Sequence, residues 1–264
     1  MPEGDTLHKL ARYLSPRLRG QVLEPIEVPN APRALIVDDD EVEEVFARGK
    51  HLLIQLGSGR CLRVHLGMNG TFHHYRHQVR WKRSPRTAQV VLATKEGVFV
   101  CFRPTKVELS WSTPPPTVRA LGPDLSLGPP DPARLAERLK TAAERSPRID
   151  DILLDQQICS GIGNVYKSEI LFIGQVSPER SINELSETQI LHLFVMGSRL
   201  LRDNLEGGPR VTTASELLDL DSQGSNLWVY GRRNQPCFRC QTPISRAITG
   251  RQTRVTYWCP QCQA

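Results

Sequence analysis

Cys237, Cys240, Cys259 and Cys262 stand in a C-x2-C-x18-C-x2-C spacing near one end of this chain. Two short cysteine pairs separated by about 15 to 20 residues suit a structural zinc site, because each pair forms a tight knuckle and the stretch between them folds back as a hairpin. One structural Zn2+ is expected, with all four thiolates as its ligands. Two disulfides or free thiols are the alternative. The total of seven cysteines is odd, and no apolar leader for export is expected. A reducing, cytoplasmic compartment is therefore expected, nucleoid-associated in a prokaryote. Cys61, Cys101 and Cys159 are then expected to be buried thiols. The same segment, residues 231–264, holds Arg232, Arg233, Arg239, Arg246, Arg251 and Arg254 and no acid, so the formal excess of +6 lies wholly within it. A solvated basic face would account for this, as would a footprint for phosphate backbones, where counterion release drives binding.

The opposite end offers another chemistry. Methionine is usually trimmed before a small residue, and trimming ahead of Pro2 leaves a secondary amine. Such a group titrates near pKa 8, so a useful fraction is neutral and nucleophilic at physiological pH, able to attack a sugar C1′. The resulting iminium stays cationic and acts as an electron sink. Glu3, its neighbour, is a candidate acid or base. Many chains begin Met-Pro with no such meaning. Lys50, in Arg48-Gly49-Lys50-His51, enters at a strand edge after a glycine, although a surface lysine is the ordinary assignment. Ser160-Gly161-Ile162-Gly163-Asn164 precedes a helix whose free N–H groups suit a phosphate, and Asn164 serves equally well as a plain cap. His65, His73, His74 and His77 suggest a metal only until Arg76, Arg80, Lys82, Arg83 and Arg86 are counted. Cations repel a metal and attract phosphate, so 73–86 is expected to be a basic DNA-facing loop with Trp81 either stacking or buried.

The elements that position these residues follow from periodicity. At 264 residues, two units with their own cores are expected. No apolar run approaches the ~20 residues a bilayer requires, so no membrane partner is expected. Leu7, Leu10, Ala11 and Leu14 predict an amphipathic helix, with Asp5 able to cap it. Strand patterns follow to about residue 112, with hairpins over 51–66 and 88–102, implying a β-sandwich or barrel. Residues 38–44 are strongly acidic and are expected to form a solvated turn. Prolines from 114 to 130 mark a connector over 113–131. Beyond it the period is helical: Asp131-Pro132 opens one helix, and Ser186-Glu187-Thr188-Gln189 is a capping box opening a longer one that stops before Gly207.

Four separated pieces, Met1-Pro2-Glu3-Gly4-Asp5, Arg48-Gly49-Lys50-His51, Ser160-Gly161-Ile162-Gly163-Asn164 and Arg254 through Gln263, together resemble the formamidopyrimidine-DNA glycosylase and endonuclease VIII family. His65-Leu66-Gly67-Met68-Asn69-Gly70, Leu121-Gly122-Pro123-Asp124-Leu125 and Val229-Tyr230-Gly231-Arg232 extend the resemblance over nearly the full length. It implies an α+β fold: an N-terminal β-sandwich domain with a leading helix (1–126), a helical helix-two-turn-helix module (127–230) and a zinc-ribbon β-hairpin (231–264). It also implies a monomer acting on damaged double-stranded DNA held in the cleft between the domains.

By position, Pro2 would be the Schiff-base nucleophile, Glu3 the acid assisting ring opening, and Lys50 a phosphate contact assisting β-elimination. Asn164 would bind a phosphate beside the lesion, and Arg254 would bind phosphate and assist δ-elimination. Met68 matches the methionine wedge of the family, with an ordinary core methionine as the alternative; Lys167 and Arg251 are added as DNA contacts. The lesion would be flipped out, since Pro2 cannot reach C1′ inside a duplex.

The Pro2-Glu3-Gly4 start and the absence of an Arg-Arg-Phe-Gly loop, replaced by Phe102-Arg103-Pro104-Thr105-Lys106-Val107-Glu108, resemble the endonuclease VIII branch, which favours oxidised pyrimidines. The expectation is a bifunctional DNA glycosylase and abasic-site lyase of base excision repair. A formamidopyrimidine or 8-oxoguanine type of glycosylase and a non-catalytic DNA-binding homologue are the alternatives.

Overall fold

Leu7, Ala11, Leu14 and Leu18 recur at helical spacing and form the buried stripe of the first helix, α1 (Gly4–Leu18). Its start corrects the sequence expectation. Asp5 lies inside the first turn and is buried, while the cap is Glu3, which forms a reciprocal capping box with Thr6. The computed structural model describes residues 1–31, 34–112, 114–144, 146–213 and 226–264. These divide into two compact units, Met1–Ala120 and Leu121–Ala264.

In the first unit, strands β1 (Val22–Leu23), β2 (Leu35–Val37), β3 (Asp40–Arg48), β4 (His51–Leu56), β5 (Cys61–His65), β6 (Thr71–Tyr75), β7 (Ala88–Thr94), β8 (Gly97–Phe102) and β9 (Lys106–Ser110) form two sheets. One has the order β1-β3-β4-β5-β9, the other β2-β7-β8-β6. Only β2 and β7 pair in parallel among the strands of these two sheets. A single core draws Val42, Leu52, Ile54 and Leu62 from the first sheet and Val37, Val90, Leu92 and Phe99 from the second, with the stripe of α1 added. This is a sandwich. Val91, Ala93, Val98 and Val100, on the alternate positions of β7 and β8, pack into a further cluster with Trp81 at its edge. The second sheet is thus covered on both faces, which is why its two central strands are nearly continuously apolar.

The acidic run of 38–44 is a correction as well. It opens β3, with a bulge between Val42 and Glu44 that leaves Glu43 and Glu44 both facing solvent while Val42 and Val45 stay buried. Asp40 is itself buried and accepts hydrogen bonds from Ser58 N at 3.0 Å and Arg60 Nη2 at 2.9 Å, pinning the β4–β5 turn.

The proline-rich stretch holds one short helix, α2 (Pro116–Arg119), at the end of the first unit; its residue 113 lies outside the described residues. In the second unit, α3 (Pro132–Ala143) starts with Asp131 accepting from Arg134 N at 2.9 Å and proline in the first turn. Then come α4 (Ile149–Leu154), α5 (Asn164–Ile173) and α6 (Glu187–Asp203), the last opened by the Ser186–Gln189 capping box. Leu135, Ile152, Ile162, Tyr166, Ile170 and Phe194 lie in the core of this unit. A two-stranded hairpin, β10 (Ser245–Thr249) and β11 (Arg254–Trp258), packs against α5. No described helix is long and apolar enough to cross a membrane.

Candidate functional site

Pro2 is half-exposed, and the residue after it is wholly buried: Glu3 has no solvent exposure and is fixed by its capping role on α1. A carboxylate at a helix N-terminus also faces the positive end of the helix dipole. Lys50 lies in the β3–β4 turn, which Gly49 makes possible with φ +56. Its carbonyl is gripped by His65 Nδ1 at 2.9 Å. A carbonyl only accepts, so this nitrogen carries the proton. The His51 and His65 rings meet at a tilt of 41° with centroids 4.9 Å apart; burial, reinforced by His65, Arg63 and Lys50, pulls the pKa of His51 down to about 3. Burial lowers the pKa of His65 as well, so at neutral pH the two rings wall the lysine turn without adding charge.

Met68 stands at the tip of the β5–β6 turn and is 65% exposed, so it is not a core residue. The turn depends on Gly67, whose φ is +64 and on which a Cβ would collide with Thr105 Oγ1. Residues 103–105 form a tight connector in which Arg103 has φ +49, and β9 begins at Lys106. No protruding loop stands there, in keeping with the departure seen in the sequence. In the basic 76–86 stretch, Arg76, Arg80, Lys82 and Arg86 are exposed, whereas Trp81 stacks on Tyr75 at 6.0 Å and packs edge-on against Phe102. His73, His74 and His77 engage Tyr75 Oη, Tyr13 Oη and the Thr94 carbonyl separately, so they form no metal site.

In the second unit, Asn164 is the first residue of α5, and Gly163 is the cap without a side-chain acceptor. In general the backbone N–H groups of a helix's first turn and the positive end of its dipole suit an anion. The loop before it is braced from two sides. Ser160 N donates to Pro123 O at 2.8 Å and Leu125 N to Ser160 O at 3.1 Å. Gln156 donates to the carbonyls of Leu154 and Ile162 and accepts from Gly161 N. Sequence reasoning missed Gln156, since nothing in the spacing marks it. It also missed Glu169, which is fully buried and accepts from Trp228 N at 2.7 Å, Val229 N at 3.0 Å, Tyr230 N at 2.9 Å and the Thr212 hydroxyl. An acid inside the apolar run of α5 was the available signal.

Lys167 does not present itself to a ligand. It has no exposed surface, and Nζ donates to Thr256 Oγ1 at 2.7 Å, which corrects its assignment as a surface DNA contact. Arg251 and Arg254 are exposed on the hairpin; Arg251 N donates to both carboxylate oxygens of Asp151 at 3.0 Å. Not all six arginines of this segment face solvent. Arg232 is 4% exposed, donates to the carbonyls of Trp228 and Pro236, and lies 3.4 Å over the Phe238 ring, so its charge serves the interior.

The four cysteine sulfurs lie within 4.8 Å of one another, and among the described residues they form the one group able to hold a metal ion. Three separations are 3.4, 3.5 and 3.9 Å, far beyond the ~2.05 Å of a disulfide. A tetrahedral ion with bonds of about 2.3 Å to sulfur needs edges of about 3.8 Å, which these match. The knuckle amides Arg239 N and Cys262 N point at Cys237 and Cys259 sulfurs, as thiolate acceptors require.

Two family profiles match the chain: the formamidopyrimidine-DNA glycosylase N-terminal domain over residues 1–107 and the formamidopyrimidine-DNA glycosylase H2TH domain over 121–215. A protein of Streptomyces coelicolor named "Probable endonuclease 8 2" is 37% identical, the alignment covering 100% of this chain and 94% of that one. The "DNA-(apurinic or apyrimidinic site) lyase Nei2" of Mycolicibacterium smegmatis is 36% identical over 100% and 99%. The formamidopyrimidine-DNA glycosylase of Herpetosiphon aurantiacus is 30% identical over 100% of both. Among solved structures, the Lactococcus lactis formamidopyrimidine-DNA glycosylase bound to abasic-site DNA superposes with a TM-score of 0.78 at 23% identity, covering 99% of each chain.

Proposed function

The chain belongs to the formamidopyrimidine-DNA glycosylase family, and from that membership we propose that it is a bifunctional DNA glycosylase and abasic-site lyase of base excision repair that favours oxidised pyrimidines. The observation that carries the chemistry is the N-terminus, where Pro2 precedes a carboxylate buried and immobilised on α1. With Met1 removed, the secondary amine of Pro2 attacks C1′ and the bond from C1′ to the damaged base breaks, the base leaving as an anion that takes a proton from solvent while the Glu3 carboxylate takes the proton of the amine. Glu3 protonates the ring oxygen and the sugar opens to an iminium. Loss of a C2′ proton then expels the 3′ phosphate, and a second elimination expels the 5′ phosphate. Lys50 assists the first elimination and Arg254 the second; Asn164 and the N-terminus of α5 hold a phosphate.

The four thiolates hold one structural Zn2+, which fixes the ribbon and takes no part in bond breaking. The substrate is damaged duplex DNA, and the enzyme acts as a monomer. The pyrimidine preference is supported by the Pro2-Glu3-Gly4 start, the tight 103–105 connector and the higher identity to the relative named as an endonuclease 8 than to the one named as a formamidopyrimidine-DNA glycosylase.

Borohydride trapping on abasic DNA tests the mechanism. Protein with a verified free Pro2 should be trapped, and Pro2→Gly or an N-terminal extension should abolish trapping while duplex binding survives. No trapping by the free-Pro2 protein would leave a DNA-binding homologue without chemistry. Side-by-side excision of thymine glycol and 8-oxoguanine tests the substrate; faster removal of 8-oxoguanine would overturn the pyrimidine assignment.

A further inference from the structure

The buried lysine of α5 raises a separate question, since a cation without solvent contact beside a DNA-binding hairpin needs a purpose. Lys167 Nζ reaches Thr256 Oγ1 at 2.7 Å and the Val255 carbonyl at 3.5 Å. Its neighbour Ser168 accepts from Tyr257 N at 3.3 Å and donates to the Asn164 carbonyl at 3.0 Å. The contacts therefore advance along α5 and β11 in the same direction. Going back three residues on the helix, from Lys167 to Asn164, is about 4.5 Å, the length of about one and a half strand residues. That step leads back from Thr256 to between Val255 and Arg254, so the Arg254 end of β11 lies toward the Asn164 end of α5.

Alternation along β11 also puts the Arg254 and Thr256 side chains on the same face. Thr249, the cross-strand partner of Arg254, touches Thr256 through its hydroxyl at 2.5 Å. At the hairpin turn, Asp151 of α4 accepts from Arg251 N with both oxygens and from Ser146 Oγ at 2.8 Å, so the turn is held by a second helix.

We propose that Lys167 is a positioning residue that acts through Thr256 to set Arg254 beside Asn164 at the start of α5, so that the two grip neighbouring phosphodiesters of one DNA strand. Lys167 itself touches no phosphate. The inference rests on the glycosylase and lyase reading above. A long cationic side chain suits the task because it spans from the helix to the strand and ends in donors that the Thr256 hydroxyl and the Val255 carbonyl accept, which a shorter or neutral residue does not supply.

The test uses full-length, metal-loaded protein and duplex carrying a stable abasic analogue, with affinity measured against salt and with the ratio of δ to β product measured on natural abasic DNA. Lys167→Met and Thr256→Val should each weaken binding about fivefold to tenfold and lower the δ share, and Thr256→Ser, which keeps the acceptor, should restore both. In an Arg254→Ala background, Lys167→Met should add less than about twofold, because the residue it positions is gone. A full additional loss in that background, or a salt slope reduced there by about 0.9 more, would mean that Lys167 contacts phosphate directly and would overturn the proposal. If Lys167→Met does not fold, the threonine pair decides: a folded Thr256→Val with unchanged affinity and δ share overturns it. Failure of the wild-type protein to be trapped by borohydride would strike the lyase reading instead, and the affinity comparison stands apart from that result.

Discussion

Replacing Glu169 by glutamine changes one atom's hydrogen-bonding character at the most enclosed carboxylate of the second unit. Oε1 accepts from Val229 N and Tyr230 N at 3.0 and 2.9 Å, while Oε2 accepts from Trp228 N at 2.7 Å and from the Thr212 hydroxyl. Burial pushes this carboxyl above its ordinary pKa, and the four donors oppose that rise. In Glu169→Gln, the amide oxygen can keep the Val229 and Tyr230 donors, but the amide NH2 then faces the Trp228 N–H. The threonine hydroxyl can turn and accept; the backbone N–H cannot. One orphaned buried donor costs about 1 to 3 kcal/mol, and loss of charge assistance at the two retained bonds adds about 1 kcal/mol each. The expected loss is about 3 to 5 kcal/mol, or roughly 10 °C in the melting of a unit of this size. Urea and thermal unfolding of the full chain, followed by tryptophan emission near Trp228, measures it. Thr212→Val should cost only about 1 kcal/mol. A Glu169→Gln protein less than about 1 kcal/mol weaker than wild type would show that the four donors to this carboxylate do not hold residues 228–230 in place.

Gly67→Ala should destabilise the first unit by at least about 1 to 3 kcal/mol, because alanine pays for a positive φ and its Cβ meets Thr105 Oγ1; circular-dichroism melts report it. His51 is neutral in the fold, with its pKa lowered to about 3 from 6.5, so the unfolded chain binds the extra proton below pH 6.5. Its contribution is full above that pH and declines as pH falls through the 6.5 to 3 window, by at most about 1.4 kcal/mol per pH unit. The difference in unfolding free energy between wild type and His51→Gln should therefore shrink with acidification, and a difference that is constant over this window would contradict the assignment. Stripping the metal with a chelator should loosen the ribbon, cut duplex affinity at least about tenfold and reduce the salt slope by about 0.9 for each hairpin arginine lost from phosphate, before the Pro2 amine reaction is affected; an unchanged slope would show that the hairpin holds without metal.

Much of the architecture was legible because its causes are local. Short apolar runs separated by glycine turns mark the β4–β5 and β7–β8 hairpins, and the Asp131 and Ser186 caps announce α3 and α6, since each signal depends on neighbours a few residues away. The acidic run was misjudged because a bulge lets exposed acids and buried valines share one strand, and a bulge leaves no compositional trace. The candidate site divides in the same way. Pro2, Glu3, Asn164 and the cysteines are marked by type and spacing.

Lys167 was misassigned because its charge suggests solvent, and only the packing of α5 on the hairpin reveals Thr256 opposite it. Arg232 likewise carries a charge that the fold spends internally, on two carbonyls and a ring. The sequence by itself determined which groups are present: a proline at position 2 next to an acid, a glycine-rich turn leading into Asn164, and four thiols at metal spacing. Tertiary structure alone decided which charges face outward and which are consumed as braces, because the partners of Lys167, Glu169 and Asp151 lie between 43 and 100 residues away along the chain and meet them only once the helices and hairpin have packed.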